Sequence, residues 1–226
     1  SWHMPSSKRD AQKEYIDVHI PKAIFWDLDK HSNKDSLVPH MMPNSDYWTR
    51  MLWSFGIKND DHIIVYDLSD VYSSCRLWFS LKYFGHKKVS VLDGGMKKWI
   101  KENKIITGKI EKNQFIQTYK VSENPSMIKD KKQINDNIKN NSFIVVDGRS
   151  RERFEGKAEE PRSGLKKGCI PNSKNIPFIN CINLKTNTFK TQDELTKVFK
   201  ENDVDCFKNI VFSCGSGVTA CVLGLA

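Results

Sequence analysis

The sequence contains no hydrophobic run long enough to cross a bilayer, since none of its apolar stretches approaches the roughly 20 residues that a membrane helix needs. It also lacks the apolar core of a signal peptide at its start, so we expect a cytoplasmic protein with no membrane partner. Its six cysteines lack the close, regular spacing of a disulfide scaffold, at positions 75, 169, 181, 206, 214 and 221. Free thiols in a reducing compartment are the better interpretation.

Histidine is missing from the second half of the chain, because all six histidines lie at or before His86. A papain-like pair of Cys and His is therefore not expected among the later cysteines. Cys214 and Cys221 are poorly spaced for a zinc site, which needs paired, closely spaced ligands. We expect no metal.

The chain has 36 Lys and Arg against 27 Asp and Glu, a net charge of +9. The basic residues are scattered singly or in short pairs, a pattern typical of a solvated surface. We expect no nucleic-acid partner, and binding of RNA through the excess lysine is the weaker alternative. With 226 residues, 38% of them hydrophobic, the chain can form two globular domains of about 110 residues each.

An internal repeat predicts the architecture. The apolar run at residues 64–66 recurs 146 positions later at 210–212, and Cys75 then aligns with Cys221. An Ile-Pro step also occurs in both halves, at 20–21 and 170–171. Each apolar run is β-branched, as in a buried parallel strand, and is followed by a loop and a helix-like segment. The repeat predicts two α/β domains, each a mostly parallel sheet flanked by helices.

The repeat also sets the expected boundaries. We predict a first domain at 1–108, a linker at 109–141 with one helix near 126–138, and a second domain at 142–226. The second copy opens with a strand at 143–147 that has no counterpart in the first. The first copy continues through a strand near 89–92 and a helix to Trp99, and these have no counterpart in the second. We therefore expect a chain truncated at both ends, lacking the first strand of one domain and the last strand and helix of the other.

The loop after the second apolar run is the candidate for chemistry. It reads Ser-Cys-Gly-Ser-Gly-Val-Thr at 213–219. A nucleophile at the end of a strand, followed by glycines and the start of a helix, allows backbone N–H groups to converge on one anion. Small and polar residues have no packing reason to cluster here, so Cys214 is predicted to be a reactive thiol.

Other interpretations of the cysteines are weaker. A phosphatase-type loop needs Arg as the sixth residue after the cysteine, and that residue is Ala220. Thiolate attack on a sulfur donor remains for Cys214. We expect the cysteines at 75, 181, 206 and 221 to be buried and structural.

Several motifs together resemble the rhodanese superfamily, most closely its 3-mercaptopyruvate sulfurtransferases. The active-site loop of that group is similar to Cys-Gly-Ser-Gly-Val-Thr-Ala-Cys at 214–221. Further matches in the second half lie at 146–149, 153–156, 160–164, 168–171 and 175–178. Matches to the non-catalytic first domain lie at 9–10, 19–21, 25–29, 39–43 and 92–95. The resemblance covers nearly the whole chain outside the linker.

The resemblance implies tandem rhodanese-like α/β domains of which only the second keeps the nucleophile. It implies transfer of sulfane sulfur from 3-mercaptopyruvate through a persulfide on Cys214, with release of pyruvate and without a cofactor. The acceptor would be a thiol, cyanide or a thioredoxin-like dithiol. Arg153 and Arg162 would bind the donor, because forked guanidinium groups hold planar carboxylates; otherwise they would form surface ion pairs. Backbone N–H groups of a loop formed by Gly215, Ser216, Gly217, Val218 and Thr219 would stabilise the anion.

The resemblance further implies a proton relay through Ser216, His40 and Asp29. Ser216 favours mercaptopyruvate, since thiosulfate-preferring members usually have basic residues after the cysteine. A thiosulfate sulfurtransferase is the alternative within the superfamily, and a non-catalytic rhodanese-like binding module is the alternative of another class. The chain departs from the family pattern at Lys22 and Asn172, where Gly is usual, and this puts the local turn geometry in doubt.

Overall fold

The computed structural model describes residues 1–110, 118–162 and 164–226. Its internal contacts divide the chain into two compact units, Ser1–Pro125 and Ser126–Ala226. Residues 111–117 of the predicted linker lie outside the described residues. The predicted linker helix is present as Lys131–Asn140, five residues later than expected, and it belongs to the second unit.

The first unit contains two parallel strands with helices around them. Its elements are α1 (Ala11–Asp17), α2 (Ser45–Ser54), β1 (Ile63–Val65), α3 (Ser74–Tyr83), β2 (Val89–Val91) and α4 (Gly95–Lys101), with a 3-10 turn at Pro5–Ser7. β1 pairs with β2 in parallel register, Ile63 opposite Val89. Trp48 and Phe84, both fully buried, stack at 4.5 Å between ring centroids and anchor the core.

The second unit is built on a three-stranded parallel sheet. Its elements are α5 (Lys131–Asn140), β3 (Ile144–Asp147), α6 (Arg151–Phe154), β4 (Lys174–Asn175), β5 (Ile182–Asn183), β6 (Thr188–Phe189), α7 (Gln192–Glu201), β7 (Ile210–Ser213) and α8 (Ala220–Leu225), with a 3-10 turn at Phe178–Cys181. A further 3-10 turn, Pro125–Met127, begins at the last residue of the first unit. The strand order is β4-β3-β7, and β5 and β6 form a separate antiparallel pair. The predicted α/β class is confirmed in both units.

Local sequence signals explain where the longer helices begin. Asp130 caps α5 and Thr191 caps α7, and both form capping boxes with the residue three positions later, Gln133 and Glu194. Each box satisfies backbone N–H groups that have no partner within the helix. The apolar face of α7 then buries Phe199 against the sheet core.

The repeated Ile-Pro steps form matching turns in the two units. Ala23 N–H donates to Ile20 O at 3.0 Å, and the equivalent bond 150 positions later measures 3.1 Å. Proline at the second position of the turn leaves the third residue with a positive φ, 67° at Lys22 and 63° at Asn172. This geometry is a type II turn, whose third residue is ordinarily glycine. The turn is therefore present in both units although Lys22 and Asn172 stand where Gly is usual, and both residues adopt a backbone conformation that is strained for a residue with a side chain.

The described residues contain neither a membrane-spanning helix nor a metal-binding cluster of side chains. Within 1–110, 118–162 and 164–226, no helix has both the length and the apolar composition needed to cross a membrane. The same residues contain no group of three or more His, Cys, Asp or Glu side chains arranged to hold a metal ion.

Candidate active site

Cys214 lies at the carboxyl edge of the parallel sheet of the second unit. It directly follows β7, whose last residue, Ser213, stands opposite Asp147 at the end of β3. Asp147 in turn stands opposite Asn175 at the end of β4. The ends of three parallel strands therefore meet beside the thiol, and this edge is where open α/β sheets ordinarily bind ligands.

The loop after β7 turns back on the sulfur. Gly217 has a φ of 71°, which glycine adopts without steric cost, and its N–H donates to Cys214 Sγ at 3.2 Å. The thiol of Cys221, on the first turn of α8, donates to Gly217 O at 3.2 Å. Val218 is buried beneath the loop. The Gly217 backbone is thus held from the helix side while its N–H contacts the sulfur.

Gly148 lets the end of β3 approach the start of α8. A Cβ at this position would lie 3.3 Å from Leu223 Cδ1 and 3.4 Å from Thr219 O. Its N–H donates to Ser213 O at 2.8 Å and extends the ladder by one bond beyond the strand. Absence of a side chain here sets the distance between the sheet and the Cys214 loop.

Two arginines converge on Gly215, the residue after the thiol. Arg162 Nη1 lies 3.5 Å from Gly215 O, and Arg153 Nη2 lies 3.0 Å from the position a Cβ of Gly215 would take. The structure therefore brings both predicted donor-binding arginines to the Cys214 loop. Ser163, part of the same predicted motif, lies outside the described residues.

A buried carboxylate fixes one of these arginines. The side chain of Glu160 is only 4% exposed and bonds Arg153 Nη2 at 2.6 Å and Arg149 Nη1 at 2.7 Å. Arg149 also bonds Asp147 Oδ2 at 2.6 Å. The Arg153 guanidinium holds the pKa of Glu160 below its usual value, and the bond to Asp147 raises the pKa of Arg149. The alternative prediction of an ion pair for Arg153 is thus correct, although the pair is partly buried and not on the surface.

The predicted relay residues of the first unit form a pair. His40 Nε2 lies 2.9 Å from Asp29 Oδ1, with the His40 side chain 3% exposed and that of Asp29 66% exposed. His40 has a positive φ of 60°, and Arg76 Nη2 donates to its carbonyl at 2.6 Å. Trp2 Nε1 donates to the other Asp29 oxygen at 3.0 Å. A strained backbone held by neighbouring bonds is a common feature of functional loops. Ser216, the third predicted relay residue, is half-buried in the Cys214 loop of the second unit.

The equivalent loop of the first unit is filled by its own carboxylate. Leu68 stands where the repeat places Cys214, and Asp67, two residues after the end of β1, directly precedes it. The Asp67 carboxylate accepts hydrogen bonds from the hydroxyls of Ser69, of Ser73 at 3.0 Å and of Ser74 at 2.9 Å.

The six cysteines are all free and differ in exposure. Cys75, Cys181 and Cys221 are buried, as predicted, and burial raises the pKa of Cys181 to about 11. Cys206 is exposed, so the prediction that it is buried was wrong; it lies on an irregular loop between α7 and β7, where chain connections run over the surface. Cys214 is half-buried.

Sequence reasoning missed the roles of three charged residues, Asp147, Arg149 and Glu160. All three belong to motifs that the sequence contains, but their mutual contacts depend on how the chain folds back from α6. One signal was present, because Asp147 ends an apolar strand and a charged residue there faces the carboxyl edge of a sheet.

Comparison with known proteins agrees with this geometry. The Rhodanese-like domain family matches residues 9–102 and 130–225. The 3-mercaptopyruvate sulfurtransferase of Mus musculus is 40% identical over 229 residues, covering 99% of this chain and 76% of that protein. The thiosulfate sulfurtransferase of Bos taurus is 35% identical over 229 residues, covering 100% and 76% respectively.

A solved structure agrees as well. The crystal structure of SseA from Escherichia coli, described as a 3-mercaptopyruvate sulfotransferase with the rhodanese fold, superposes with a TM-score of 0.87 at 31% identity. The alignment covers 98% of this chain and 82% of that one. The family matches both units, and relatives above 30% identity span the chain. The chain therefore belongs to the rhodanese family and is a sulfurtransferase with two rhodanese-like domains.

Proposed function

We propose that this sulfurtransferase moves sulfur from 3-mercaptopyruvate to a thiol or cyanide through a persulfide on Cys214. The observation that carries the proposal is the arrangement around Gly215 and Cys214. A half-buried thiol accepts the Gly217 N–H at 3.2 Å, and the Arg153 and Arg162 side chains both lie at the next residue. A nucleophile and an anion-binding group are thus adjacent, as transfer from an anionic donor requires.

In the first half-reaction the Cys214 thiolate attacks the sulfur of 3-mercaptopyruvate. A sulfur–sulfur bond forms and the carbon–sulfur bond breaks, with its electron pair leaving on carbon as the enolate of pyruvate. Protonation of that enolate releases pyruvate. The backbone N–H groups of residues 215–219 stabilise the sulfur anion, as an oxyanion hole stabilises oxygen.

Arg153 and Arg162 contribute unequally to binding of the sulfur donor. Arg153 is already bonded to Glu160, whereas Arg162 takes part in no ion pair among the described residues. The charge of Arg162 is therefore the more available one for the donor carboxylate, and Arg153 supplies a fixed second donor group.

The family resemblance assigns protonation of the enolate to Ser216, His40 and Asp29. The bond between His40 Nε2 and Asp29 Oδ1 supports this assignment, because a carboxylate on one ring nitrogen sets which nitrogen carries the proton. Exposure of Asp29 gives the pair a route to bulk water.

In the second half-reaction an acceptor attacks the outer sulfur of the persulfide. The sulfur–sulfur bond breaks, its electron pair returns to Cys214 as thiolate, and the acceptor carries the sulfur away. A small thiol, cyanide or a thioredoxin-like dithiol has the required nucleophile. The six free cysteines fit a reducing compartment such as the cytoplasm.

Thiosulfate is the second candidate donor. The relative from Bos taurus, a thiosulfate sulfurtransferase by name, matches the chain over its full length. In this chain the residue two positions after Cys214 is Ser216, which is uncharged, so we rank the carboxylate donor first.

The test is pyruvate release from 3-mercaptopyruvate with a dithiol acceptor, run beside thiosulfate with cyanide, for the protein and its Cys214→Ser variant. We expect faster turnover of mercaptopyruvate and loss of both activities in the variant. Faster turnover of thiosulfate would reverse the donor assignment. A folded protein that turned over neither donor would support a non-catalytic binding module.

A further inference from the structure

Each unit contains a carboxylate that joins two nitrogen-bearing side chains beside its strand-to-helix loop. In the second unit Glu160 joins Arg149 and Arg153. Arg153 then packs against Gly215, with Nη2 at 3.0 Å from the position of a Cβ there. We call this set of three residues, Arg149, Arg153 and Glu160, the clamp of the second unit.

The first unit has a similar clamp, formed by Glu14, His3 and Arg9, although Arg9 lies 146 positions before Glu155 and not before Arg153. Glu14 Oε2 lies 3.0 Å from His3 Nε2, and both of its oxygens bond Arg9, at 2.6 and 2.9 Å. Arg9 Nη2 donates to Leu68 O at 3.2 Å. Glu14 and His3 stand 146 positions before Glu160 and Arg149, the offset that also relates β1 to β7.

The clamp of the first unit cannot assist sulfur transfer at position 68, because the leucine side chain there is not a nucleophile. In both units the arginine of the clamp lies against the loop: Arg9 donates a hydrogen bond to Leu68 O, and Arg153 Nη2 lies beside Gly215, where a Cβ would meet it at 3.0 Å. A carboxylate that bonds two nitrogens of one guanidinium group restricts the position and the orientation of that group. The common role of the clamp is therefore to hold the backbone of the loop.

We propose that Glu160 is a positioning residue of the sulfur-transfer reaction: through Arg153 it fixes the backbone at Gly215, so that the Gly217 N–H stays on the sulfur of Cys214. This inference deepens the proposed function and rests on Cys214 as the reacting atom. It assigns to Arg153 a structural task in addition to donor binding. It also predicts that loss of Glu160 slows the sulfur step more than it weakens donor binding.

The experiment compares Glu160→Gln with Glu14→Gln, the same change in the clamp of the unit without a nucleophile. Both are made in a Cys169→Ser, Cys206→Ser background, which removes the two other exposed thiols. The first readout is the rate of alkylation of Cys214 by iodoacetamide as a function of pH, followed by peptide mass spectrometry. The second is kcat and KM for each of the two sulfur donors.

For Glu160→Gln we expect about threefold slower alkylation of Cys214 throughout the pH range, because a displaced N–H no longer contacts the sulfur. We expect kcat to fall about tenfold with both donors while KM changes less than about threefold. Glu14→Gln should change neither readout, although both variants should lose similar thermal stability. If Glu160→Gln does not fold, Glu160→Asp replaces it and should shift both readouts in the same direction by less.

An unchanged alkylation profile in folded Glu160→Gln would overturn the inference, as would an equal shift in Glu14→Gln. A rise in KM for mercaptopyruvate alone would assign Glu160 to donor binding instead of loop positioning. The alkylation readout needs no donor. If the protein turned over neither donor, the proposed function would fail while this readout still decided the role of Glu160.

Discussion

The two strand-to-helix loops, 68–73 in the first unit and 214–219 in the second, have the same flanking elements but different groups in their interiors. Both follow a parallel strand, both lead into a helix, and both are contacted by an arginine that a glutamate fixes. In the first, Asp67 and three serine hydroxyls fill the interior of the loop. In the second, the Cys214 sulfur accepts a hydrogen bond from the backbone N–H of Gly217.

This comparison separates what the fold needs from what the chemistry needs. The clamp, the strand and the helix also occur in the unit that has Leu68 in place of Cys214, so they support the loop in both units and would act on sulfur transfer only through it. An Asp67 carboxylate and a thiolate at the next position would oppose each other, since like charges close together destabilise one another. On the proposed function, the chemistry depends on a few residues of one loop.

Moving the thiol between the units should not move the activity. We expect the Cys214→Ser, Leu68→Cys variant to release pyruvate at least about a thousandfold more slowly than the unchanged protein. The reason is that the Asp67 carboxylate directly precedes position 68 and opposes a thiolate there. The measurement is pyruvate release, with Cys214→Ser alone as the control. Recovery of a tenth of the original rate would show that the first loop is already competent.

Removing the internal carboxylate should destabilise the first unit alone. We expect Asp67→Ala to lower its free energy of unfolding by about 3–4 kcal/mol, since three buried hydroxyls lose a charged acceptor. All six tryptophans lie between positions 2 and 99, so tryptophan fluorescence in urea reports this unit. Asp70→Ala is the matched control, because Asp70 is an exposed ion-pair residue of the same loop and its loss should cost less than about 1 kcal/mol. Equal effects would contradict the structural role of Asp67.

Mild acid should weaken the first unit before the second. Burial lowers the pKa of His31 from 6.5 to about 4, with Lys30 adding to the shift. The neutral imidazole is favoured in the folded state, so stability is full above pH 6.5 and falls as the pH drops toward 4.

The expected loss in the first unit is about 2 kcal/mol between pH 6.5 and 5. Histidine is absent from the second unit, and the lowered pKa of Glu160 makes that unit lose stability only when the pH falls below about 4.5, where this carboxyl group becomes protonated in the unfolded chain. Urea unfolding followed by tryptophan fluorescence and by circular dichroism checks this order. His31→Phe should flatten the pH dependence in the fluorescence signal, and an unaltered slope would be evidence against the assignment.

Restoring glycine to the repeated turns should give the smallest effects. Lys22→Gly is expected to raise the free energy of unfolding of the first unit by about 0.5–1 kcal/mol, because glycine removes the steric cost of a positive φ. Asn172→Gly should raise that of the second unit by less, since asparagine tolerates this conformation better. Urea titrations followed by fluorescence and by circular dichroism measure the two effects. A destabilising Lys22→Gly would mean that its side chain stabilises the turn in another way.

The sequence predicted much of the fold because the repeat is visible in it. The apolar runs at 64–66 and 210–212 were correctly interpreted as parallel strands, and the Ile-Pro steps were correctly assigned to loops. Alignment of the two copies also places Leu68 opposite Cys214 from the sequence alone. These features depend on local periodicity and on turn chemistry, which a single sequence contains.

The clamps could not be predicted in the same way. Glu160 follows Arg149 by 11 positions and Arg153 by 7, but α6 spans only Arg151–Phe154, so only the path of the loop after α6 brings them together. Burial of Glu160 likewise depends on packing. The exposure of Cys206 was missed for the same reason, since nothing in its immediate sequence indicates which side of a loop faces solvent.

Gly148 has a consequence for how far this protein can vary in sequence. A Cβ at 148 would lie 3.3 Å from Leu223 Cδ1 and 3.4 Å from the carbonyl oxygen of Thr219, so these neighbours would have to shift by a few tenths of an ångström for alanine and by more for a larger side chain. In a library of single substitutions selected for sulfur transfer, position 148 should therefore accept alanine with reduced activity and lose activity with larger residues, although Gly148 is not part of the Cys214 loop. A residue defined by the absence of a side chain would thereby limit the mutational paths open to the enzyme.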